Sequence, residues 1–406
     1  MKQIKSRFGP NFLEYEIGEI AILAKEHPLK LTCGTKIKNF PIAYQTYGKL
    51  NDEASNAILI CHALTGDQYV ASKNPITKKD GWWSFMVGPN KSIDTNKFFV
   101  ICSNVLGGCM GSFGPKEPQN GEIYTSQNSE EALLQKKSFS KPYGINFPML
   151  TIADMVRAQN LLIKELGIEK LYAVVGGSFG GMQVLSWCNL FPAQIQRAIV
   201  ISSSYRHSPQ NIAFHEVGRQ AIVADPNWAN GDYLSQGKFP TNGLALARMT
   251  AHITYLSEEA LQRKFGRNLQ NKFNFSFSFN KDFEVENYLH YQGKRFVERF
   301  DPNSYLYITR AVDYFDLESD YNGNLSAAFV EFAADKSKKI CIISFSDDWL
   351  FPSSEAKKLT KALFACGINA SSVVIQSNGG HDSFLLPNPL HEQAIYGFLE
   401  GQKKQK

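Results

Sequence analysis

Two kinds of apolar pattern alternate along this 406-residue chain. Residues 15–50 switch between short β-like runs and turns, which predicts antiparallel strands at a sheet edge. From residue 56 the runs become continuously apolar, at 56–62 (NAILICH), 98–102, 171–175 and 197–202. A strand that is apolar at every position is covered on both faces. Between these runs the spacing turns helical. Thr151 and Asp154 have capping-box spacing, Met155, Val156, Leu162, Ile163 and Leu166 share one face, and Gly167 closes the segment. A second helical stretch follows the 171–175 run and stops at Phe191-Pro192. Strand, helix, strand, helix, strand at this spacing predicts a mostly parallel sheet with helices on both faces.

After Ser204 the rhythm changes. Residues 205–320 hold aromatic-rich helical segments at 211–223, 243–255, 283–300 and 304–315, with hardly any buried-strand run. They are expected to form a helical insertion over the sheet, leaving 1–204 and 321–406 as the α/β core. Strands resume at 339–345 and 372–376, and a last helix spans 389–399. Residues 116–141, polar and proline-bounded, are expected to form a surface loop.

Composition narrows the classes. At 43% hydrophobic and 20% charged, the chain is an ordinary globular protein, and its net charge of +5 forms no basic stripe suited to nucleic acid. The Lys-rich end at 403–406 is most simply a solvated terminus. Seven cysteines include no C-x-x-C pair, and Cys61, Cys102 and Cys341 sit in apolar runs, as reduced core thiols do. The first residues lack an apolar signal segment and no run is long enough to span a bilayer, so a cytoplasmic protein is expected. His, Cys and acidic residues show no metal-ligand spacing, and no metal is expected.

The candidate chemistry sits at strand ends. Gly176-Gly177-Ser178-Phe179-Gly180-Gly181 joins the 171–175 run to a helix, the context a nucleophile elbow demands. So sharp a turn crowds neighbouring Cβ atoms, which explains glycine two residues before and after Ser178. A serine nucleophile needs a base, and the base an orienting acid, in the chain order Ser, Asp or Glu, His. Asp347 and Asp348 follow the 339–345 run, and spacing leaves the choice between them open. His381 follows the 372–376 run within GGHD and is the candidate base. His62 precedes the elbow and is expected to shape its loop, and His391, in the last helix, is expected to be exposed. An acyl-transfer oxyanion needs two backbone N–H donors. Phe179, just after the nucleophile, and Leu64, after the 56–62 run, are placed to supply them.

Further motifs accompany these in order: 62–66 (HALTG), 81–83 (GWW), 107–112 (GGCMGS), Phe147-Pro148, 219–222 (RQAI), 251–255 (AHITY), 348–352 (DWLFP) and 380–382 (GHD). The set, over about residues 10–400, resembles the homoserine O-acetyltransferase family of α/β-hydrolase-fold enzymes, which acts in methionine biosynthesis. The resemblance implies Ser178 as the acylated nucleophile, Asp348 rather than Asp347 as the acid, and His381 as the base. It also implies Arg219 as the grip on the substrate carboxylate, a task suited to a bidentate guanidinium, and Asp382 as the contact to the amino group. The implied reaction is ping-pong transfer of acetyl from acetyl-CoA, a co-substrate, to L-homoserine, with no bound cofactor. The implied assembly is a homodimer through the insertion. Succinyl-CoA as donor or serine as acceptor are alternatives within the family, and an esterase is the alternative on the same fold. Phe179 stands where the family usually has Met, Phe113 where it usually has Thr, and the segment 117–137 is longer than the family's connection.

Overall fold

The computed structural model describes residues 3–119, 141–270 and 273–401. The core is a nine-stranded sheet. Its strands are β1 (Gln3–Phe8), β2 (Leu13–Leu23), β3 (Phe40–Tyr47), β4 (Ala57–Cys61), β5 (Phe99–Ser103), β6 (Ala173–Gly177), β7 (Arg197–Ile201), β8 (Lys339–Phe345) and β9 (Asn369–Ile375). They lie in the order β1-β2-β3-β5-β4-β6-β7-β8-β9. The first three strands are antiparallel and β3 meets β5 antiparallel, whereas β5 through β9 are all parallel.

The continuous apolar runs work because their alternate residues face different layers. Ile58 and Ile60 pack with Val175, Ile199 and Ile343 on one side of the sheet. Leu59 and Cys61 pack with Val174, Val200 and Ile342 on the other. Each such side chain contributes about 1.5–3 kcal/mol on burial, so the parallel strands carry much of the fold's stability. Helix α1 (Ile152–Glu165) packs on α2 (Phe179–Leu190), which backs the nucleophile's strand. The capping box at the start of α1 is present, with Asp154 N–H donating to Thr151 Oγ1 and Thr151 N–H to Asp154 Oδ2.

Between β7 and β8 the chain is helical: α3 (Pro209–Val223), α4 (Thr241–Tyr255), α5 (Glu258–Phe265), α6 (Glu284–Val297) and α7 (Pro302–Asp313), with shorter turns between. The eight-residue α5 has no counterpart among the expected helices. It is held by Ser257, whose hydroxyl accepts from Ala260 N–H at 3.1 Å. Two further helices, α8 (Ser353–Ala365) and α9 (Pro389–Glu400), complete the core.

The expected exposure of His391 is corrected. It is fully buried between the rings of Trp83 and Phe345, and burial pushes its pKa down to about 4. The helical spacing 391, 395, 399 puts it on the inner face with Ile395 and Leu399. Most of the expected 116–141 loop and the Lys-rich tail lie outside the described residues.

The elbow's glycines are sterically required. A Cβ on Gly176 would sit 2.3 Å from the Gly180 carbonyl oxygen, and one on Gly180 would sit 2.1 Å from that of Cys61. Gly180→Ala should therefore cost at least about 2 kcal/mol of unfolding free energy in urea titration. Gly397→Ala, where nothing lies within 4 Å, should be neutral or stabilising by about 0.5–1 kcal/mol. Equal stability changes at the two positions would contradict the close approach.

Candidate active site

Ser178 sits at the β6–α2 junction with φ +57° and ψ −126°, a backbone region that a side-chain-bearing residue enters only when its surroundings force it. The surroundings do so. Ser178 N–H donates to Ile201 O of the neighbouring strand end, and its own carbonyl accepts from Gly181 and Met182 as α2 begins. The strained turn lifts Oγ off the sheet toward the loop after β9.

That loop is a tight turn over Gly380–Leu385. His381 Nε2 accepts from Ser178 Oγ at 2.8 Å, and its Nδ1–H donates to Asp348 Oδ2 at 2.9 Å. The two aspartates after β8 divide the work. Asp348 Oδ1 accepts the amides of Leu350 and Phe351, leaving Oδ2 for the imidazole. Asp347 accepts from Ser377 Oγ and from Gly380 N–H at 2.7 Å, so it pins the loop carrying His381. Phe351, Phe384 and Tyr255 ring His381 at centroid distances of 5.3, 5.6 and 6.1 Å. Burial among these rings works to lower the His381 pKa, but the charge and hydrogen bond of Asp348, helped by Asp382, win and leave it raised above 6.5.

Leu64 and Phe179 line the cavity at Ser178. Phe179 opens α2, where an amide has no intrahelical acceptor and points at incoming negative charge. His62 shapes the opposite loop. Its Nδ1–H donates to Ala63 O at 2.7 Å, and Nε2 accepts from Val105 N–H at 3.1 Å. Burial holds it neutral with a pKa of about 4. The cavity has a volume of about 50 Å³, room for a few waters or a small acyl group.

Arg219 is not among the residues lining this cavity, but Asp313 joins it to His207 and His215, which are. Its Nη1 donates to Asp313 Oδ2 at 2.7 Å and its Nε to Glu216 Oε2 at 3.0 Å, in a nearly buried ion pair with Asp313. Asp313 also accepts from His207 and His215 through their Nδ1 atoms, at 3.0 and 2.8 Å, and both imidazoles line the Ser178 cavity. Among the described residues, His207, His215 and Asp313 are close enough to hold a metal, which no sequence spacing announced because Asp313 is some hundred residues downstream. The Arg219 cation on the same carboxylate makes a hydrogen-bond network the better description. Burial opposes charge on Asp313, yet the two imidazoles and Arg219 keep its pKa depressed.

A second cation near this cavity is Arg248, on α4. Its Nη1 donates to Thr65 Oγ1 at 3.2 Å and its guanidinium lies 5.3 Å from the Tyr255 ring centroid. No carboxylate forms an ion pair with it among the described residues. Tyr255, which lines the Ser178 cavity, feels Arg248 and Asp382 together. Burial raises the Asp382 pKa, against the lowering influence of His381 and Arg248. Within 244–250 (LALARMT), Arg248 looks like any helix-surface arginine.

A profile of the α/β hydrolase fold matches residues 56–387. The homoserine O-acetyltransferase of Mesorhizobium japonicum is 54% identical over 92% of this chain and 91% of its own. The crystal structure of homoserine O-acetyltransferase from Bacillus anthracis superposes with a TM-score of 0.79 at 27% identity, over 94% of this chain and 97% of that one. The crystal structure of esterase E22 superposes with a TM-score of 0.80 at 28% identity, over 94% and 99%.

Two outcomes follow from the site. The neutral imidazole accepts the serine proton, so acylation should switch on as pH rises through the His381 pKa, with a midpoint above 6.5. Asp348→Asn removes the group that holds it up, and burial then dominates. The midpoint should fall below 6.5 and the rate by about 10³–10⁴-fold in a pH series of single-turnover acylation. An unmoved midpoint would show that Asp348 does not set the imidazole. Arg219→Met should leave Asp313 without its cation and cost about 3–5 kcal/mol in chemical unfolding. A normal unfolding curve with only a raised acceptor KM would return Arg219 to the substrate site.

Proposed function

Because the chain belongs to the homoserine O-acetyltransferase family of the α/β-hydrolase fold, we propose that it transfers acetyl from acetyl-CoA to the hydroxyl of L-homoserine through an acyl-Ser178 intermediate. The observation that carries this is the unbroken relay Ser178–His381–Asp348 beside an unpaired cation, Arg248, and an anion, Asp382. A hydrolase needs only the relay. A matched cation and anion beside it suit an amino-acid zwitterion.

In the first half-reaction His381 Nε2 takes the Ser178 proton as Oγ attacks the thioester carbonyl. The N–H groups of Phe179 and Leu64 are assigned to the oxyanion, each worth roughly 3 kcal/mol of barrier. The tetrahedral adduct collapses, and the thiolate leaves with the proton from His381. In the second half-reaction His381 takes the homoserine hydroxyl proton as that oxygen attacks the acyl-enzyme, and the adduct collapses with cleavage of the acyl–Oγ bond, His381 returning the proton to Ser178 Oγ as O-acetylhomoserine leaves. Arg248 is assigned to the acceptor carboxylate and Asp382 to its ammonium, with the Tyr255 ring as the wall between them. The chain's own groups perform every proton transfer, and no bound cofactor enters.

The small cavity, about 50 Å³, favours acetyl over a bulkier dicarboxylic acyl group. Residues 205–320 are assigned as a lid over that cavity. The exposed Phe273, Phe277 and Phe279 in this region support its use for homodimer contact. No helix among the described residues is long and apolar enough to cross a membrane, and all seven cysteines are free, which supports a cytoplasmic enzyme of methionine biosynthesis.

The competing reading is an esterase, favoured by the fold shared with esterase E22. Steady-state release of CoA separates the two. With acetyl-CoA, homoserine should accelerate release at least about tenfold over water, with serine and succinyl-CoA poorer substrates. Equal release without homoserine would establish the hydrolase. Arg248→Met should raise the homoserine KM by about 10- to 100-fold, the value of a charge-assisted hydrogen bond, while single-turnover acylation persists. An unchanged KM would remove Arg248 from the acceptor site.

A further inference from the structure

A cavity of about 50 Å³ at Ser178 can admit the acyl end of a coenzyme A thioester but not the rest of it. The remainder must lie against a neighbouring surface. One cavity abuts the same loop: Leu64 lines the Ser178 cavity, and Thr65, the next residue, lines a second of about 290 Å³.

The second cavity is built around Arg299, just beyond α6. One of its N–H groups donates to Thr65 O at 2.9 Å, and it forms no ion pair among the described residues. Burial, then the nearby Arg248 charge, pull its pKa down to about 10. Two guanidiniums thus converge on Thr65, one at its carbonyl and one at its hydroxyl. The facing carboxylate, Asp67, is buried and already occupied. Its Oδ1 accepts from Tyr69 N–H at 3.0 Å and its Oδ2 from Asn74 Nδ2 at 2.8 Å. Lys79 lines the cavity without an ion pair among the described residues, and Arg295 lines it with only the exposed Glu298 as partner. Asp80 is the remaining acid on the wall. Trp82 and the half-exposed Tyr291 supply flat apolar walls. Unspent arginine N–H groups beside aromatic faces suit a phosphate-bearing, partly aromatic ligand.

We infer that this cavity, lined by Thr65, Lys79, Tyr291, Arg295 and Arg299, holds the phosphate-bearing arm of the acyl donor while its thioester passes Leu64 to reach Ser178. The inference rests on the acyl-CoA reading above and places the donor's phosphates by Arg299, at the Thr65 carbonyl, beside the acceptor's Arg248 at the Thr65 hydroxyl.

The test compares acetyl-CoA with S-acetylpantetheine, a thioester without phosphates, by thiol release in single-turnover acylation. In Arg299→Gln the ratio of kcat/KM for acetyl-CoA over S-acetylpantetheine should fall about tenfold or more, and Arg299→Lys should restore part of it. Because Arg299 also holds the Thr65 carbonyl, the double variant Lys79→Gln/Arg295→Gln, which leaves that bond intact, should lower the ratio in the same direction. An unchanged ratio in both variants, or equal losses with both thioesters, would overturn the site. The wild-type enzyme tests the underlying reading separately. Acylation by 4-nitrophenyl acetate but not by acetyl-CoA would overturn the acyl-CoA reading itself.

Discussion

The structure depends on one close approach of backbone to backbone. Where β6 turns into α2, the chain at Gly180 comes within a Cβ's reach of the Cys61 carbonyl at the end of β4, and Gly176 folds back onto Gly180. Only glycine permits this, and only this lets Ser178 hold φ +57° with Oγ clear of the sheet. The neighbouring strand ends then deliver everything else to the same edge. The loop after β4 brings Leu64, the turns after β8 and β9 bring Asp348 and His381, and Phe384 packs onto Gly177 where a side chain would have excluded it. The parallel sheet is thus a device for collecting loops at its carboxyl edge.

Around that edge, charge is sorted by who is already paired. Arg219 and Asp313 neutralise each other in the helical layer and fix two imidazoles. Arg248 and Arg299 are fixed instead through uncharged Thr65, without an ion pair among the described residues. Two carboxylates, Asp313 and Glu216, pair with Arg219.

Much of the architecture was legible in the chain because parallel strands announce themselves. Continuous apolar runs at 56–62 and 197–202 have no other comfortable home than a doubly covered sheet, and the glycines around Ser178 signal a turn few other sequences need. Residue types that owe their role to a distant partner were not legible. Asp347 and Asp348 are adjacent and chemically alike, and only the fold shows one accepting from Gly380 and the other from His381. Arg219 and Arg248 are both helical arginines, distinguished only by Asp313 on α7 and Thr65 after β4. His391 carried the opposite lesson, since its spacing with Ile395 and Leu399 was visible but a histidine beside Glu392 suggests solvent.

On the proposed mechanism Ser178 carries the acyl group and passes it to an amino-acid hydroxyl in preference to water. Intact-protein mass spectrometry after mixing with acetyl-CoA alone tests it most directly. The enzyme should gain the mass of one acetyl group, mapped to the Ser178 peptide, and added homoserine should discharge it far faster than buffer does. An adduct on another residue, no adduct at all, or discharge at the same rate with and without homoserine would contradict the account.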